Sequence, residues 1–358
     1  VTGNDAVSIY GTQSNVSNRN YDFGGDVSTS YYKNGLANSK LTWERTQEFN
    51  IGLDFGFFRN RINGSLDVYQ RTSKDLIMER QLPSTTGWTS VWDNIGKVRN
   101  TGLELSINTI NVQTSDFSWQ TNIIFDTNKN EILELYGGKK DDIGNKWFIG
   151  EAINVNYDYE FDGIWQTSEA DKAAIYGQTP GQVKVKDQNH DNVIDAKDKV
   201  ILGQQLPKWT GSITNTFTYK NWDLAFNVYT RQGAQLNSTF VSSFMAYDGN
   251  YNQAKVDYWT ETNPTNKYPQ PGNKGKYFSS MCYQDVSFVR VGYITLGYTF
   301  PMSLLKPIGI KRLKLYATAN NPFLFTSFKG FDPEWATQNT WGEATSTRTF
   351  LFGVKLAF

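Results

Sequence analysis

The carboxy-terminal residues alternate between bulky apolar side chains and small or polar ones. Within residues 350–358, every second position is large and apolar: Phe350, Phe352, Val354, Leu356 and Phe358. Because successive side chains of a β-strand point to opposite faces, an extended strand here has one apolar face and one small or polar face. This pattern is typical of a membrane-spanning β-strand with lipid on one side and protein or water on the other.

The same alternation recurs along the chain and predicts about nine strands, each near the length of about 9–11 residues that a tilted membrane strand requires. The predicted strands cover residues 49–57, 62–69, 98–107, 117–125, 211–219, 222–229, 288–300, 313–319 and 350–358. The sequence therefore predicts an all-β fold, an antiparallel transmembrane β-barrel or part of one.

The connections between these strands differ in length in a regular order. Short breaks fall near 59–61, 109–116, 220–221 and 301–309, and long ones at about 1–43, 73–97, 128–209, 231–285 and 321–347. Outer-membrane barrels have short periplasmic turns and long extracellular loops. If the carboxy terminus is periplasmic, all the long breaks fall outside the cell and all the short ones inside, so we expect these long segments to be extracellular loops.

The composition fits a barrel better than a helical membrane protein or an enzyme. No run of 18 apolar residues exists, and the mean hydropathy of −0.53 is acceptable for a barrel, in which only alternate strand residues meet lipid. The formal net charge of zero gives no support to nucleic-acid binding. Cys282 and His190 each stand alone, so we expect no disulfide framework, no catalytic centre and a buried or incidental thiol.

Two further considerations bear on the extent of the barrel. A soluble β-sandwich would also alternate, but it does not readily produce long loops on one side or apolar outward faces on so many strands. A sheet of nine strands would leave two unpaired edges in lipid, which is costly. Since the chain begins at Val1 without a signal peptide, we expect it to be processed or a fragment that lacks its amino-terminal part.

Several short phrases follow one another in order over nearly the whole chain. They are VTGND at 1–5, LTWE at 41–44, NIGKVRNTGLEL at 94–105, NKNEILEL at 128–135, FDGIWQ at 161–166, PG at 180–181, FVR at 288–290, LGYTFP at 296–301 and GFDPE at 330–334. In their order and spacing the chain resembles the carboxy-terminal part of the SusC/RagA-type TonB-dependent transporters of Bacteroidetes.

The resemblance implies a location, a partner and an activity. Members of this family form an outer-membrane barrel of about 22 strands, filled by a plug domain and capped by a SusD-like surface lipoprotein. They import glycans or peptides with energy delivered through TonB. The resemblance also implies that residues 1–358 are all carboxy-terminal barrel, with the plug domain and TonB box absent from this chain.

An acidic loop at residues 187–198 is the sharpest local motif. Its oxygen-bearing groups follow the spacing of an EF-hand calcium loop: Asp187, Asn189, Asp191, the carbonyl of Val193, Asp195 and Asp198. Asn192 replaces the usual glycine and Asp198 the usual glutamate. We expect Ca²⁺ to bind here and to stiffen the loop, and the alternative is an Asx-rich turn held by its own hydrogen bonds. His190 is expected to face solvent.

Seven of the eleven tryptophans fall outside the predicted strands, in the long loops: Trp88, Trp92, Trp147, Trp165, Trp259, Trp335 and Trp341. Such rings can contact a substrate or the lipoprotein lid, or can anchor loops to one another. Trp119, Trp209 and Trp222 lie near strand ends, where outer-membrane barrels carry an aromatic girdle, so we expect them to be interfacial anchors.

Three functions remain open at the level of sequence, and none is enzymatic. The first is an active importer that works with a SusD-like lipoprotein, TonB and outer-membrane lipid to take up a glycan or peptide. The second is a passive or structural barrel in a larger outer-membrane complex. The third is a soluble, calcium-dependent carbohydrate-binding β-protein.

Overall fold

In the computed structural model, the described part of the chain is residue 13 together with residues 16–247, 253–336 and 345–358, apart from the side chain of Phe23. Strands dominate it. They are β1 Val16–Phe23, β2 Asp26–Lys33, β3 Arg45–Phe57, β4 Ile62–Gln81, β5 Ser90–Gln113, β6 Phe117–Leu135, β7 Val155–Tyr159, β8 Phe161–Ile164, β9 Val183–Val185, β10 Lys199–Gln204, β11 Trp209–Tyr219, β12 Trp222–Gln232, β13 Gln235–Asn237, β14 Tyr283–Asp285, β15 Phe288–Thr299, β16 Arg312–Thr326 and β17 Thr349–Ala357.

The helices are short and lie in the connections. The α-helices are α1 Ala170–Ile175, α2 Thr239–Phe244 and α3 Met302–Leu305. Single 3₁₀ turns occupy Ser84–Thr86, Thr167–Glu169, Ala196–Asp198, Phe278–Cys282, Lys306–Ile308 and Pro333–Trp335. Among the described residues no helix is long and apolar enough to cross a membrane.

Nine strands form one sheet, in the order β17-β16-β15-β12-β11-β6-β5-β4-β3. From β6 to β17 every neighbouring pair is antiparallel. The sheet contains each of the predicted strands, and the predicted hairpin turn at Lys220 and Asn221 joins β11 to β12. The turn between β3 and β4 is closed by the successive positive φ angles of Phe58, Arg59 and Asn60.

The pairing of residues between neighbouring strands aligns the side chains of this sheet in rows. One apolar row runs across six neighbouring strands, through Trp119, Phe217, Leu224, Leu296, Ala317 and Phe352. Phe352 is 82% exposed and Leu296 46%, and the other four members are partly exposed. A continuous exposed apolar surface of this kind marks a face that water does not cover in the working protein.

The chain divides into two compact units. The first comprises Val1–Ile51, Asp67–Leu103 and Asn128–Asn154, and it contains a small core made of Met78, Ile95, Val98, Ile132 and Leu135. The second comprises Gly52–Leu66, Glu104–Thr127 and Val155–Phe358. Its core is built from two of the long connections and contains Ile164, Val183, Val185, Val241, Met245, Ala246, Trp259, Tyr268, Tyr277, Phe278 and Cys282.

The structure corrects the extent of one expected loop. A long break was predicted at 73–97, but β4 continues to Gln81 and β5 begins at Ser90, so the connection is only residues 82–89. Met78, Ile95 and Val98 explain the difference, because their burial in the first unit's core stabilises both strands beyond the predicted ends.

The other long breaks contain secondary structure of their own. The hairpin of β1 and β2 lies within 1–43, and β7 to β10 with α1 lie within 128–209. The 231–285 segment holds β13, α2 and β14, while β16 extends to Thr326 at the start of the expected 321–347 loop. These connections are therefore folded elements and not simple coils.

Candidate functional site

A polar row occupies the face of the sheet opposite the apolar row. Register pairing brings together Asn122, Thr214, Asn227, Tyr293, Asn320 and Thr349, one from each of six strands. Asn227 Nδ2 donates to Thr214 Oγ1 at 2.9 Å, and Asn122 Nδ2 donates to Asn108 Oδ1 at 2.8 Å. Asn108 Nδ2 in turn donates to Asn63 Oδ1 at 3.4 Å, which extends the ladder to β5 and β4. The sheet is therefore two-sided, with hydrogen-bonding side chains on the face that would line a lumen.

The first half of the acidic loop is a series of turns closed by side-chain oxygens. Asp187 Oδ2 accepts the backbone N–H of Asn192 at 2.9 Å, and Asn189 Oδ1 accepts that of Asp191 at 3.0 Å. Asp191 Oδ1 accepts the N–H of Val193 at 2.9 Å. Asn192 has a φ of 63°, the left-handed conformation that Asn tolerates where an EF-hand loop has glycine.

The second half of the loop is organised by Asp198, whose side chain is fully buried. Asp198 Oδ1 accepts the N–H of Gln188 at 2.9 Å and Oδ2 accepts that of Asp195 at 2.8 Å. Asp195 Oδ1 accepts the N–H of Lys197 at 2.7 Å and so caps the 3₁₀ turn Ala196–Asp198. Asp198 thus ties the two ends of the loop together.

These contacts form the Asx-rich turn, held by its own hydrogen bonds, that was the alternative to a calcium site. One side-chain oxygen of the loop takes no part in this network. Within the described residues, Asp187 Oδ1 is buried without a hydrogen-bond partner. An acceptor in this condition fits a cation or a donor from outside the loop. In the same described part, no three or more His, Cys, Asp or Glu side chains are arranged to hold a metal ion. A calcium ion would therefore depend on the Asn189 amide and the Val193 carbonyl as much as on carboxylates.

A cavity of about 600 Å³ lies beside the acidic loop, between α1 and β9. Trp165 stacks on Tyr176 with ring centroids 5.9 Å apart, and Lys184 Nζ lies 5.1 Å from the Trp165 ring. Burial opposes the charge of Lys184, yet its ion pairs with Glu169 and Asp162 raise its pKa. The cavity is a mixed-charge, aromatic space in which Lys184 is already paired with Glu169 and Asp162.

The electrostatics of the acidic loop centre on Asp187. Desolvation opposes its ionisation, but the N–H of Asn192 and the hydroxyl of Tyr176 outweigh that effect and lower its pKa. Burial and the Asp187 carboxylate raise the pKa of Tyr176, so the phenol stays protonated and donates to Asp187 Oδ2 at 3.2 Å. His190 is exposed, as expected.

Two of the seven candidate tryptophans are buried in the second unit, and Trp259 belongs to its core. Trp165 is 5% exposed and donates from Nε1 to Gln178 Oε1 at 3.0 Å. Trp259 is 2% exposed and donates from Nε1 to Gln166 Oε1, also at 3.0 Å. Trp259 is enclosed and anchors loops to one another, whereas Trp165 is almost fully buried but also lines the cavity beside the acidic loop.

The remaining candidate tryptophans are placed differently. Trp147 packs against the core of the first unit, and Trp92 lies within β5 and not in a loop as predicted. Trp88 is half-buried in the 82–89 connection, and Trp335 is 39% exposed. Trp341 lies outside the described residues. Of the six candidate tryptophans within the described residues, Trp335 is the most exposed.

A buried ion-pair network links β12 and β15 to the connection that follows β16. Arg290 is 2% exposed, and its Nη2 donates to Asp332 Oδ1 at 2.6 Å. The same Nη2 lies 3.8 Å from Glu334 Oε2, which also accepts the Tyr229 hydroxyl at 2.8 Å. Burial disfavours the charge of Asp332, but the N–H of Glu334, the side chain of Ser346 and the Arg290 guanidinium lower its pKa.

Sequence reasoning assigned no chemistry to Arg290, although it quoted both phrases that meet in this network. One signal was available. Arg290 shares a strand face with Phe288, which is 2% exposed, so a charged residue stood at a buried strand position and required a counter-ion from elsewhere in the chain. No local pattern singles out Asp332 as that partner. Cys282, by contrast, is buried as expected, and burial raises its pKa to about 12.

Comparison with known proteins connects this geometry to one family. A family model described as TonB dependent receptor-like, beta-barrel, matches residues 4–321. The chain is 31% identical to TonB-dependent receptor SusC of Bacteroides thetaiotaomicron over 350 residues, which are 94% of this chain and 34% of that protein. It is also 31% identical to TonB-dependent receptor P26 of Formosa agariphila, over 93% of this chain and 35% of that protein.

A solved structure agrees with the sequence comparisons. The chain superposes on a chain of the RagAB peptide transporter with a TM-score of 0.79 and 26% identity, covering 100% of this chain and 40% of that one. The chain thus spans about a third of the length of the curated relatives it matches.

These findings confirm the resemblance, the antiparallel outer-membrane barrel fold, the outer-membrane location and the expectation that the protein is not an enzyme. The two-sided sheet and the ladder of polar side chains agree with the match of residues 4–321 to a β-barrel family. The chain belongs to the TonB-dependent receptor-like β-barrel family.

Proposed function

We propose that this chain is the carboxy-terminal barrel portion of an active importer. The whole protein would take up glycans or peptides together with a SusD-like surface lipoprotein, using energy delivered through TonB. The observation that carries the proposal is the two-sided sheet, in which an exposed apolar row and a hydrogen-bonded polar row cross the same six strands on opposite faces. A wall of this kind separates lipid from a wet lumen.

The polar row suits a lumen that holds a plug domain reversibly. Asn227, for example, donates to Ser212 Oγ and Thr214 Oγ1 at 2.8 and 2.9 Å. A surface whose groups are already satisfied gives up little when a neighbouring domain leaves it. Such a face would allow the plug to move during transport without unpaired polar groups remaining behind.

The orientation of the barrel is part of the proposal. The short turns, such as Lys220 with Asn221, would be periplasmic, and the long connections would be extracellular. The folded connections support this assignment, because those at 155–204 and 233–287 share one apolar core and form a structured surface on which a lipoprotein lid could rest. Trp335 is an exposed ring available to a lid or substrate.

The test is uptake by cells that carry the full-length gene. Radiolabelled oligosaccharide and oligopeptide mixtures are supplied to the wild type, to a strain without TonB and to a strain without the adjacent lipoprotein, with surface expression matched. We expect one substrate class to be imported and its uptake to be lost in both deletions. Uptake that persists without TonB would contradict the active importer and favour a passive pore.

We also propose that the acidic loop binds Ca²⁺ and that the ion stiffens an extracellular connection. The support is the EF-hand spacing, the left-handed Asn192 and the buried, unpaired Oδ1 of Asp187 among the described residues. When bound, calcium would supply the positive charge that offsets the repulsion of closely spaced carboxylates. The Asn189 amide, the Val193 carbonyl and the carboxylates of the loop would hold it.

Terbium luminescence tests the calcium site in the full-length protein, because Tyr176 and Trp165 lie beside the loop and can sensitise a bound lanthanide. We expect saturable luminescence that Ca²⁺ competes away and that the double change Asp187→Asn with Asp191→Asn abolishes. Asp171→Asn, an exposed carboxylate in nearby α1, is the matched control and should leave the signal intact. An unsaturable signal, or equal loss in the control, would leave the self-bonded turn as the whole explanation.

A further inference from the structure

The connection between β15 and β16 presents three large apolar side chains away from the protein. Met302 is 56% exposed, Leu304 63% and Ile308 66%. They lie in α3 and the 3₁₀ turn Lys306–Ile308, within the short break that the sequence assigned to one of the inside turns. A turn that faces only water would have no physical reason to expose such residues together.

The backbone holds these side chains in place. Leu305 between them is 4% exposed and fixes the turn to the second unit. The N–H of Leu304 donates to the carbonyl of Pro301 at 3.1 Å, and that of Ile310 donates to the carbonyl of Leu305 at 3.2 Å. Gly309 closes the segment with a φ of 74°, a left-handed conformation that favours glycine. The exposed apolar surface is therefore a property of the folded turn.

An aromatic row lies immediately beside this segment. Register pairing aligns Phe117, Tyr219, Trp222 and Tyr298 across four neighbouring strands, one step from the apolar row and on the same face. The Trp222 and Tyr298 rings are 4.7 Å apart, and Phe300 meets Tyr298 edge-on at 5.1 Å. Aromatic girdles of this kind mark the boundary between hydrocarbon and water. The boundary therefore passes next to residues 301–309.

The charged residues from Pro301 to Arg312 have one sign. Lys306, Lys311 and Arg312 are exposed, and no acidic residue occurs from Pro301 to Arg312. Apolar side chains flanked by basic ones are the composition of a segment that lies in the plane of a membrane surface, with the apolar groups in the acyl boundary and the cations at the phosphates.

We infer that residues 301–309 lie in the headgroup region of the periplasmic phospholipid leaflet, with Met302, Leu304 and Ile308 inserted. The inference rests on the orientation proposed above. A phospholipid surface is favoured over a protein partner or a second copy of the chain, because the exposed turn continues the lipid-facing side of the sheet through Phe300 and the aromatic row.

The experiment places a nitroxide spin label in the full-length transporter, reconstituted in vesicles of phosphatidylethanolamine and phosphatidylglycerol. Leu304→Cys and Ile308→Cys are the test variants. Phe352→Cys reports a lipid-facing strand position, and Ser115→Cys reports an exposed polar turn between β5 and β6. Cys282 is 1% exposed and stays unlabelled in the folded protein. Accessibility to oxygen and to a water-soluble nickel complex gives the depth of each label.

We expect the labels at 304 and 308 to favour oxygen over nickel, between the values at 352 and 115. A value at 304 equal to that at 115 would place the turn in water. A label that neither reagent reaches would show a protein partner or second copy in the place of lipid. Either result overturns the inference, and Met302→Cys repeats the measurement if one variant does not assemble.

Two further measurements separate this inference from the proposed function. Reduction of the label by external ascorbate reports its side of the membrane, so a lipid-embedded label on the outer surface would reject the orientation and the periplasmic leaflet together. Lys306→Gln with Lys311→Gln should reduce the depth of the 304 label in anionic vesicles. If the depth of the label does not change, the basic residues do not contribute to membrane insertion of this segment. This conclusion is independent of the result of the transport assay.

Discussion

At the scale of single residues, the Arg290–Asp332 pair is the feature with the clearest energetic consequence. Both side chains are almost fully buried, at 2% and 3% exposure. Within the described residues, Arg290 Nε has no hydrogen-bond partner, so the guanidinium depends on Asp332 and Glu334 to offset its desolvation. The pair secures the connection after β16 to the face of β15.

Removal of the Asp332 charge should therefore be strongly destabilising. Asp332→Asn leaves Arg290 buried beside a neutral amide, and breaking a buried pair costs about 3–5 kcal/mol. We expect a loss of this order in the free energy of unfolding, measured by denaturant titration of the refolded barrel. Arg348→Gln, an exposed cation beside the same connection, is the control and should change it little. Equal effects of the two changes would argue against the pair as the anchor.

The same carboxylate predicts a pH dependence with a definite sign. The pKa of folded Asp332 lies below the value of about 3.9 expected for an unfolded aspartate. Its contribution to stability is therefore fully present above that value and is lost as the pH falls through the folded pKa. We expect the difference in unfolding free energy between wild type and Asp332→Asn to be constant near neutrality and to shrink below about pH 4. A difference that grew on acidification would contradict this account.

At the scale of the element, the strands of the sheet have two unlike faces, and β17 tests this most directly. Phe352 and Leu351 are neighbours, 82% and 46% exposed, but they point to opposite sides. Exposure alone cannot tell lipid from water, so the two positions differ only in the medium that each is expected to meet.

A lysine scan of β17 separates the two media. A lysine on the lipid face of a barrel costs about 2–4 kcal/mol near the bilayer midplane, whereas a lumen position tolerates charge. We expect Phe352→Lys to impair assembly, measured as the heat-modifiable folded fraction in vesicles, and Leu351→Lys to have a much smaller effect. Equal tolerance at both positions would indicate that water covers both faces.

At the scale of the whole molecule, the folded connections of the second unit behave as one body. Trp259 comes from one connection and packs with Ile164 and Val183 of another, far away in sequence. Together the two connections bury a common core.

Shortening Trp259 should consequently loosen both connections. Trp259→Ala removes a ring that is 2% exposed, a change that costs about 3–5 kcal/mol in a packed core. We expect hydrogen exchange to rise in 155–186 as well as in 253–285. The neighbouring Tyr258→Ala, at a position that is 36% exposed, should affect only its own surroundings. Faster exchange confined to 253–285 in the Trp259 variant would show that the two connections fold independently.

The local alternation of side chains was sufficient to predict all nine sheet strands, because a period of two residues is a local property of an extended backbone. It also located the short turns and the acidic loop. It placed Trp92 in a loop, ended β4 too early and began β5 too late, since the core around Met78 and Ile95 depends on residues such as Ile132 that are distant in the chain.

Tertiary structure alone decided which loop residues are functional surface and which are packing. By sequence Trp165, Trp259 and Trp335 were equivalent, but only the fold shows that two are enclosed and one is exposed. Likewise, contacts between separate segments bring Arg290 to its partner Asp332. Such contacts also place residues 301–309 beside the aromatic row. Periodicity is a property of a single strand, whereas burial and ion pairing depend on long-range contacts that no local pattern contains.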